Sequence, residues 1–149
     1  MAEYLANATQ LVALNQPLIF SASIPCNRGF VYHEDESGNF ILRGIVNNPN
    51  SCFTRYQVTF NGNIAVPTGG TVGPIAVAVT VEGEPRVTSR AIVTPAAVGE
   101  YNNVTSTAII TVPRGCCFNI SVRCVAASDT ATTTAINVQN SNLVINRIA

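Results

Sequence analysis

Apolar and polar side chains alternate along most of this chain. The clearest stretch is Arg55-Tyr56-Gln57-Val58-Thr59-Phe60-Asn61-Gly62-Asn63-Ile64. There Tyr56, Val58 and Phe60 fall on one face and Arg55, Gln57 and Thr59 on the other, the period of two that marks a half-buried strand. Helical periodicity is almost absent, and Gly, Pro and Asn interrupt the apolar runs about every eight to twelve residues, the spacing of a sandwich or barrel. The pattern predicts about ten strands, over 9–13, 17–21, 30–33, 39–43, 53–63, 75–82, 86–94, 103–112, 117–126 and 143–148. The third and fourth read as a hairpin closed by Glu34-Asp35-Glu36-Ser37-Gly38. In the sixth, Ile75, Val77, Val79 and Val81 oppose Ala76, Ala78 and Thr80, so its second face sits against something that admits only small groups. Residues 1–9 read as an N-terminal arm, free or docking as a strand, ahead of one domain over 10–149.

Composition narrows the picture. A chain of 149 residues that is 47% hydrophobic is the size of one domain with a sizeable core. Eight basic residues balance eight acidic ones, which leaves no basic field to draw nucleic acid or an anionic membrane. Charged residues make up only 11% of the chain, lysine and tryptophan are missing, and Asn and Thr carry much of the polarity. Such a neutral surface is prone to associate. Met1-Ala2-Glu3-Tyr4-Leu5-Ala6-Asn7 lacks the basic start and apolar run of a signal peptide, and no segment reaches the roughly 18 apolar residues of a membrane span. Synthesis in the cytoplasm as a soluble protein is the expectation.

The strand order resembles the tumour necrosis factor-like jelly roll, an all-β, single-domain sandwich of antiparallel strands. The aromatic fifth strand carries the resemblance, together with the turn Ile109-Ile110-Thr111-Val112-Pro113-Arg114-Gly115 and the ending Asn142-Leu143-Val144-Ile145-Asn146-Arg147-Ile148. Its flavour is that of the bacterial and phage branch, such as the heads of collagen-like spore-surface proteins and virion-decorating proteins. It covers roughly residues 10–149, with one departure: the family often has Gly two residues before the Tyr of the fifth strand, and Thr54 stands there. The resemblance implies a homotrimer in which one sheet of each subunit packs about a threefold axis and aromatic side chains fill the boundary. Phe53, Tyr56 and Phe60 are the candidates for that role, with intradomain core as the competing reading.

The same reading places the starts of the third, fifth and ninth strands at one end of the sandwich, so Cys26, Cys52, Cys116 and Cys117 would cluster there. Free buried thiols, disulfides within or between subunits, and a four-thiolate zinc site are the open readings, although the Cys-x-x-Cys knuckles usual for zinc are missing. Cys124, alternating with Val122 and Ala126, reads as a small buried hydrophobe.

Signals for catalysis are weak. His33-Glu34-Asp35-Glu36 holds the only histidine, but consecutive residues at a hairpin tip point apart and do not preorganise a metal site. No Gly-x-Ser-x-Gly element supports a nucleophile, and Gly69-Gly70-Thr71-Val72-Gly73 lacks the lysine and helix of a phosphate loop. Arg114 and Arg147 read as partners of acids or as groups stacked across a subunit boundary. The expectation is therefore a non-enzymatic structural protein without a cofactor: a homotrimer that decorates a bacteriophage capsid, located on the virion, with the major capsid protein as its partner. Ala2, Glu3, Tyr4 and Leu5 would form the shell-docking arm. The alternative is a trimeric module on a bacterial cell or spore surface, recognising glycans or host-surface proteins through loops 61–74, 94–102 and 128–139.

Overall fold

The computed structural model describes residues 2–24, 31–33, 36–44, 50, 52–130 and 133–148. Twelve strands are described: β1 Ala2–Ala6, β2 Gln10–Ala13, β3 Ala22–Ile24, β4 Val31–His33, β5 Phe40–Arg43, β6 Phe53–Ala65, β7 Ile75–Val81, β8 Glu84–Pro85, β9 Ala91–Val93, β10 Asn102–Pro113, β11 Cys117–Val125 and β12 Ala135–Arg147. They form two sheets whose pairings are all antiparallel. The first runs β10-β6-β12-β1-β3, with β2 also on β12. The second runs β4-β5-β11-β7-β8, with β9 also on β7. Neighbours in space are rarely neighbours in sequence, as expected where chain crossovers join two stacked sheets.

The core lies between the sheets. From β6 it takes Tyr56, Val58, Phe60 and Ile64, from β10 Ile110 and Val112, and from β12 Ile136, Val138, Leu143 and Ile145. Opposite them stand Leu42 of β5, Ile75, Val77 and Val79 of β7, and Ile120, Val122 and Cys124 of β11. Gly62 holds the inward position between Phe60 and Ile64, where a Cβ would sit 2.8 Å from Cζ of Phe60. A glycine there lets the Phe60 ring fold along its own strand. Tyr56 ties the layers together, its hydroxyl donating to the carbonyl of Arg43 at 2.6 Å.

Four local features depart from the alternation as read. The expected N-terminal arm is a strand of the sheet. β1 is paired with β12 on one side and β3 on the other, and Ala2, Tyr4 and Ala6 are buried. Apolar residues at every second position, separated by Glu3 and Leu5, are the physical reason: the segment has a face to bury. The strand expected over 86–94 is broken by a 3-10 turn, Val87–Ser89. Ser89 Oγ accepts the Val79 N–H at 3.1 Å and donates to the Arg86 carbonyl at 2.7 Å, so a side chain replaces the ladder there. Residues 17–21 form only isolated bridges, Pro17 to Arg123 and Phe20 to Ser37, while burying Leu18 and Phe20. The last strand begins at Ala135 and not at 143, and its register shifts by a bulge between Gln139 and Asn142 where Asn140 has φ 54°. The bulge divides β12 so that its first half carries β2 and its second half β1.

Candidate functional site

Alternation leaves the first sheet with a second, outward face, and the register orders its side chains in rows. One row is Ile109-Gln57-Asn146, and the next toward the Phe53 end is Thr111-Arg55 with Ile148, whose N–H donates to the Arg55 carbonyl at 2.9 Å. In the other direction come Thr107-Thr59-Val144-Glu3 and then Thr105-Asn61-Asn142-Leu5. Ile109 is 56% exposed and Ile148 48%. Only two charges stand among these residues, and each is occupied. The Arg55 guanidinium lies over the Phe53 ring at 4.8 Å, and Glu3 Oε1 accepts from Asn142 Nδ2 at 2.6 Å. Amides hold the far end, where Asn103 Nδ2 donates to Asn61 Oδ1 at 2.7 Å and Asn63 Oδ1 at 3.1 Å. The result is a broad neutral face of Thr, Asn and Gln with apolar side chains set into it.

Of the three aromatic residues expected at a subunit boundary, only Phe53 is on this face, at 39% exposed. The expectation is corrected for Tyr56 and Phe60, which point between the sheets with 1% and 0% of their surface exposed and belong to the core of a single protomer. Burial raises the Tyr56 hydroxyl above its ordinary pKa, against the opposing pull of Arg147 and of the bond to Arg43. Ile109, Val144 and Ile148, outside the expected boundary residues, also belong to this face. A signal existed: Ile109-Ile110 and Leu143-Val144-Ile145 are runs of adjacent apolar residues, and in a strand one of each adjacent pair must face outward.

The shell-docking arm is corrected as well, since Ala2 and Tyr4 are core residues and Glu3 and Leu5 belong to the sheet face. Cys52, Cys116 and Cys117 do share one end of the sandwich: the Arg114 N–H donates to the Cys52 carbonyl at 2.9 Å and the Cys116 N–H to that of Pro113 at 3.0 Å. Cys52, Cys116, Cys117 and Cys124 are free thiols, and Cys26 lies outside the described residues. Cys124 is buried, which pushes its thiol up to about 12.

Among the described residues no group of three or more His, Cys, Asp or Glu side chains gathers as metal ligands. Glu34 and Asp35 lie outside the described residues. The His33 ring stacks on Phe40 at 4.3 Å, meets Tyr4 edge-on at 4.8 Å, and its Nε2 is 3.0 Å from the Ser37 carbonyl. That is the environment of a half-buried histidine packed against the aromatic edge of the core.

Parts of the loops considered for recognition converge at one end. The Gly99 N–H donates to the Val66 carbonyl at 2.9 Å, and Thr133 Oγ1 donates to that of Pro74 at 2.7 Å. A cleft of about 220 Å³ lies between segments 66–75 and 133–135, lined by Pro67, Gly70, Thr71, Thr133 and Thr134 among others, with no charged side chain.

No protein-family model matches the chain, and no curated protein matches it. Solved structures match its fold. The globular domain of zebrafish complement 1qA protein superposes with a TM-score of 0.59 at 13% identity, covering 96% of this chain and 94% of that one. Eiger TNF from S. frugiperda superposes with a TM-score of 0.67 at 10% identity, covering 100% of this chain and 92% of that one. The fold is thus the C1q/TNF-like jelly roll, an all-β antiparallel sandwich of two sheets.

Proposed function

We propose that this chain is a non-enzymatic structural module that assembles as a homotrimer through the outward face of its first sheet, and that it serves as a decoration protein on a bacteriophage capsid. The observation that carries the assembly is the neutral face itself. Few ionic groups on it would need desolvation, Ile109, Val144, Ile148 and Phe53 gain from burial, and Asn and Thr side chains can exchange water for one another. A standard interface buries roughly 1,600 Å² in total, within reach of strands twelve and thirteen residues long. Decoration of a capsid, with the major capsid protein as partner and the virion as location, rests on composition: a neutral chain with 11% charged residues suits a life covered by neighbours. Because β1 is part of the sheet, the shell contact falls to other surfaces than the arm.

Two measurements test the proposal. Replacing the exposed Ile109 by Arg places three charges near a common axis and should reduce the assembly to single folded chains. Purified phage particles should contain the chain in a fixed ratio to the shell protein; its absence from particles would end the decoration reading while leaving the assembly reading standing. The converging loops and their uncharged cleft favour a second reading, recognition of neutral glycans, which saturable binding on a glycan array would support.

A further inference from the structure

The outward face of the second sheet carries a feature with no part in assembly through the first. Ala76 and Ala78 of β7 point away from the inter-sheet core and yet are fully buried, in a small cluster with Val125 and Ala127. Arg90 lies beside them, its Nη1 donating to the Ala126 carbonyl at 3.2 Å. This accounts for the small residues on that face of β7: larger side chains would occupy the space the arginine crosses. Next to it is a cavity of about 210 Å³ lined by Asn15, Ala78, Pro85, Val87, Arg90, Val125 and Ala126. Its walls are apolar except for Asn15 and the guanidinium.

The guanidinium is poorly satisfied. Of its five N–H donors the described residues engage one, through Nη1, and Nε is buried with no hydrogen-bond partner among them. No carboxylate among the described residues pairs with Arg90. Arg90 is only partly buried, so its charge keeps some water, but a guanidinium beside apolar walls with an orphaned Nε and no carboxylate partner among the described residues is suited to receive an anion. The cavity is also smaller than the roughly 300–1,000 Å³ typical for drug-sized ligands, so its occupant has only a few carbon atoms.

We propose that this cavity is a binding site for a small aliphatic carboxylate, the carboxylate bonding to the Arg90 guanidinium and the hydrocarbon lying against Ala78, Pro85, Val87 and Val125. Planar two-point recognition of carboxylate is what a guanidinium does best. A free short-chain acid and the C-terminus of a peptide ending in a small aliphatic residue present the same chemistry. The probes are therefore pentanoate, N-acetylvaline as the peptide-end mimic, and pentanamide as the uncharged control.

Chemical shifts of the Arg90 Nε–H group and of the Val87 and Ala126 amides are followed in the full chain as each probe is added. Pentanoate or N-acetylvaline should shift all three saturably, with a dissociation constant of about 1 mM, and whichever binds tighter identifies the source. Pentanamide should bind at least about tenfold more weakly, as loss of a charge-assisted hydrogen bond requires. Arg90→Gln tests the cation. Val87→Glu, at a rim position 68% exposed and so tolerant of change, offers the guanidinium an internal carboxylate and should abolish binding in a folded protein. The proposal is overturned if neither acid gives a saturable shift, if pentanamide binds as well as pentanoate, or if folded Val87→Glu binds as the wild type does.

Discussion

Replacing Tyr4 by Ala separates a free N-terminal arm from a strand that holds the sandwich together. The side chain is 1% exposed, and its ring meets Phe40 at 4.6 Å and His33 at 4.8 Å between centroids. Removing a large aromatic side chain from a core costs about 3–5 kcal/mol, of which each ring pair accounts for about 0.5–1.5 kcal/mol beyond simple burial. A substitution on an unattached arm would stay within about 0.5 kcal/mol. With a slope near 2 kcal/mol per molar urea, the unfolding midpoint should fall by about 1.5–2.5 M. Urea titrations followed by circular dichroism at one fixed chain concentration measure this, the concentration being held because association adds to apparent stability. Tyr4→Phe keeps the ring and should recover most of the loss. A midpoint for Tyr4→Ala within about 0.3 M of the wild type would refute the placement of β1 in the sheet.

Other expectations follow from single contacts. Gly62→Ala drives a Cβ against Phe60 and should destabilise by about 1–3 kcal/mol; combined with Phe60→Leu the two changes should couple by more than about 0.5 kcal/mol in a double-mutant cycle. Tyr56→Phe strips the Arg43 carbonyl of its donor and should cost about 1–2 kcal/mol by urea unfolding. Between pH 9.0, the ordinary value for the thiol, and about 12, the unfolded chain releases the Cys124 proton while the folded one retains it. Stability is therefore intact below that window and falls as pH rises through it; Cys124→Ala should flatten the decline in thermal unfolding scans. At pH 8 a thiol reagent should label exposed Cys52 and Cys117 quickly and Cys124 only on unfolding.

Much of the fold was legible because a strand with one buried face leaves a period of two in the sequence, and β5, β6, β10 and β11 carry it, while β7, buried on both faces, shows instead an alternation of large and small residues. It failed where the cause was not periodic. Ile136 and Val138 continue inward as Ser141, Leu143 and Ile145, an odd step that is the bulge itself, but the polar run Gln139-Asn140-Ser141-Asn142 looks like a loop. The break at Val87–Ser89 depends on one serine hydroxyl reaching a strand ten residues away, which no local pattern announces. The candidate site was legible only in part. Aromatic residues drew attention to β6, yet two of the three pack inward, and the outward apolar positions on β10 and β12 emerge only once the register sets Ile109 beside Gln57 and Asn146. Arg90 gave no signal at all, since its neighbours come from β7 and from the end of β11.

Sedimentation equilibrium of the purified wild-type chain at micromolar concentration addresses self-association through the first sheet most directly. A mass three times that of the 15.7 kDa chain is the predicted result. A well-folded species with the mass of one chain would contradict it.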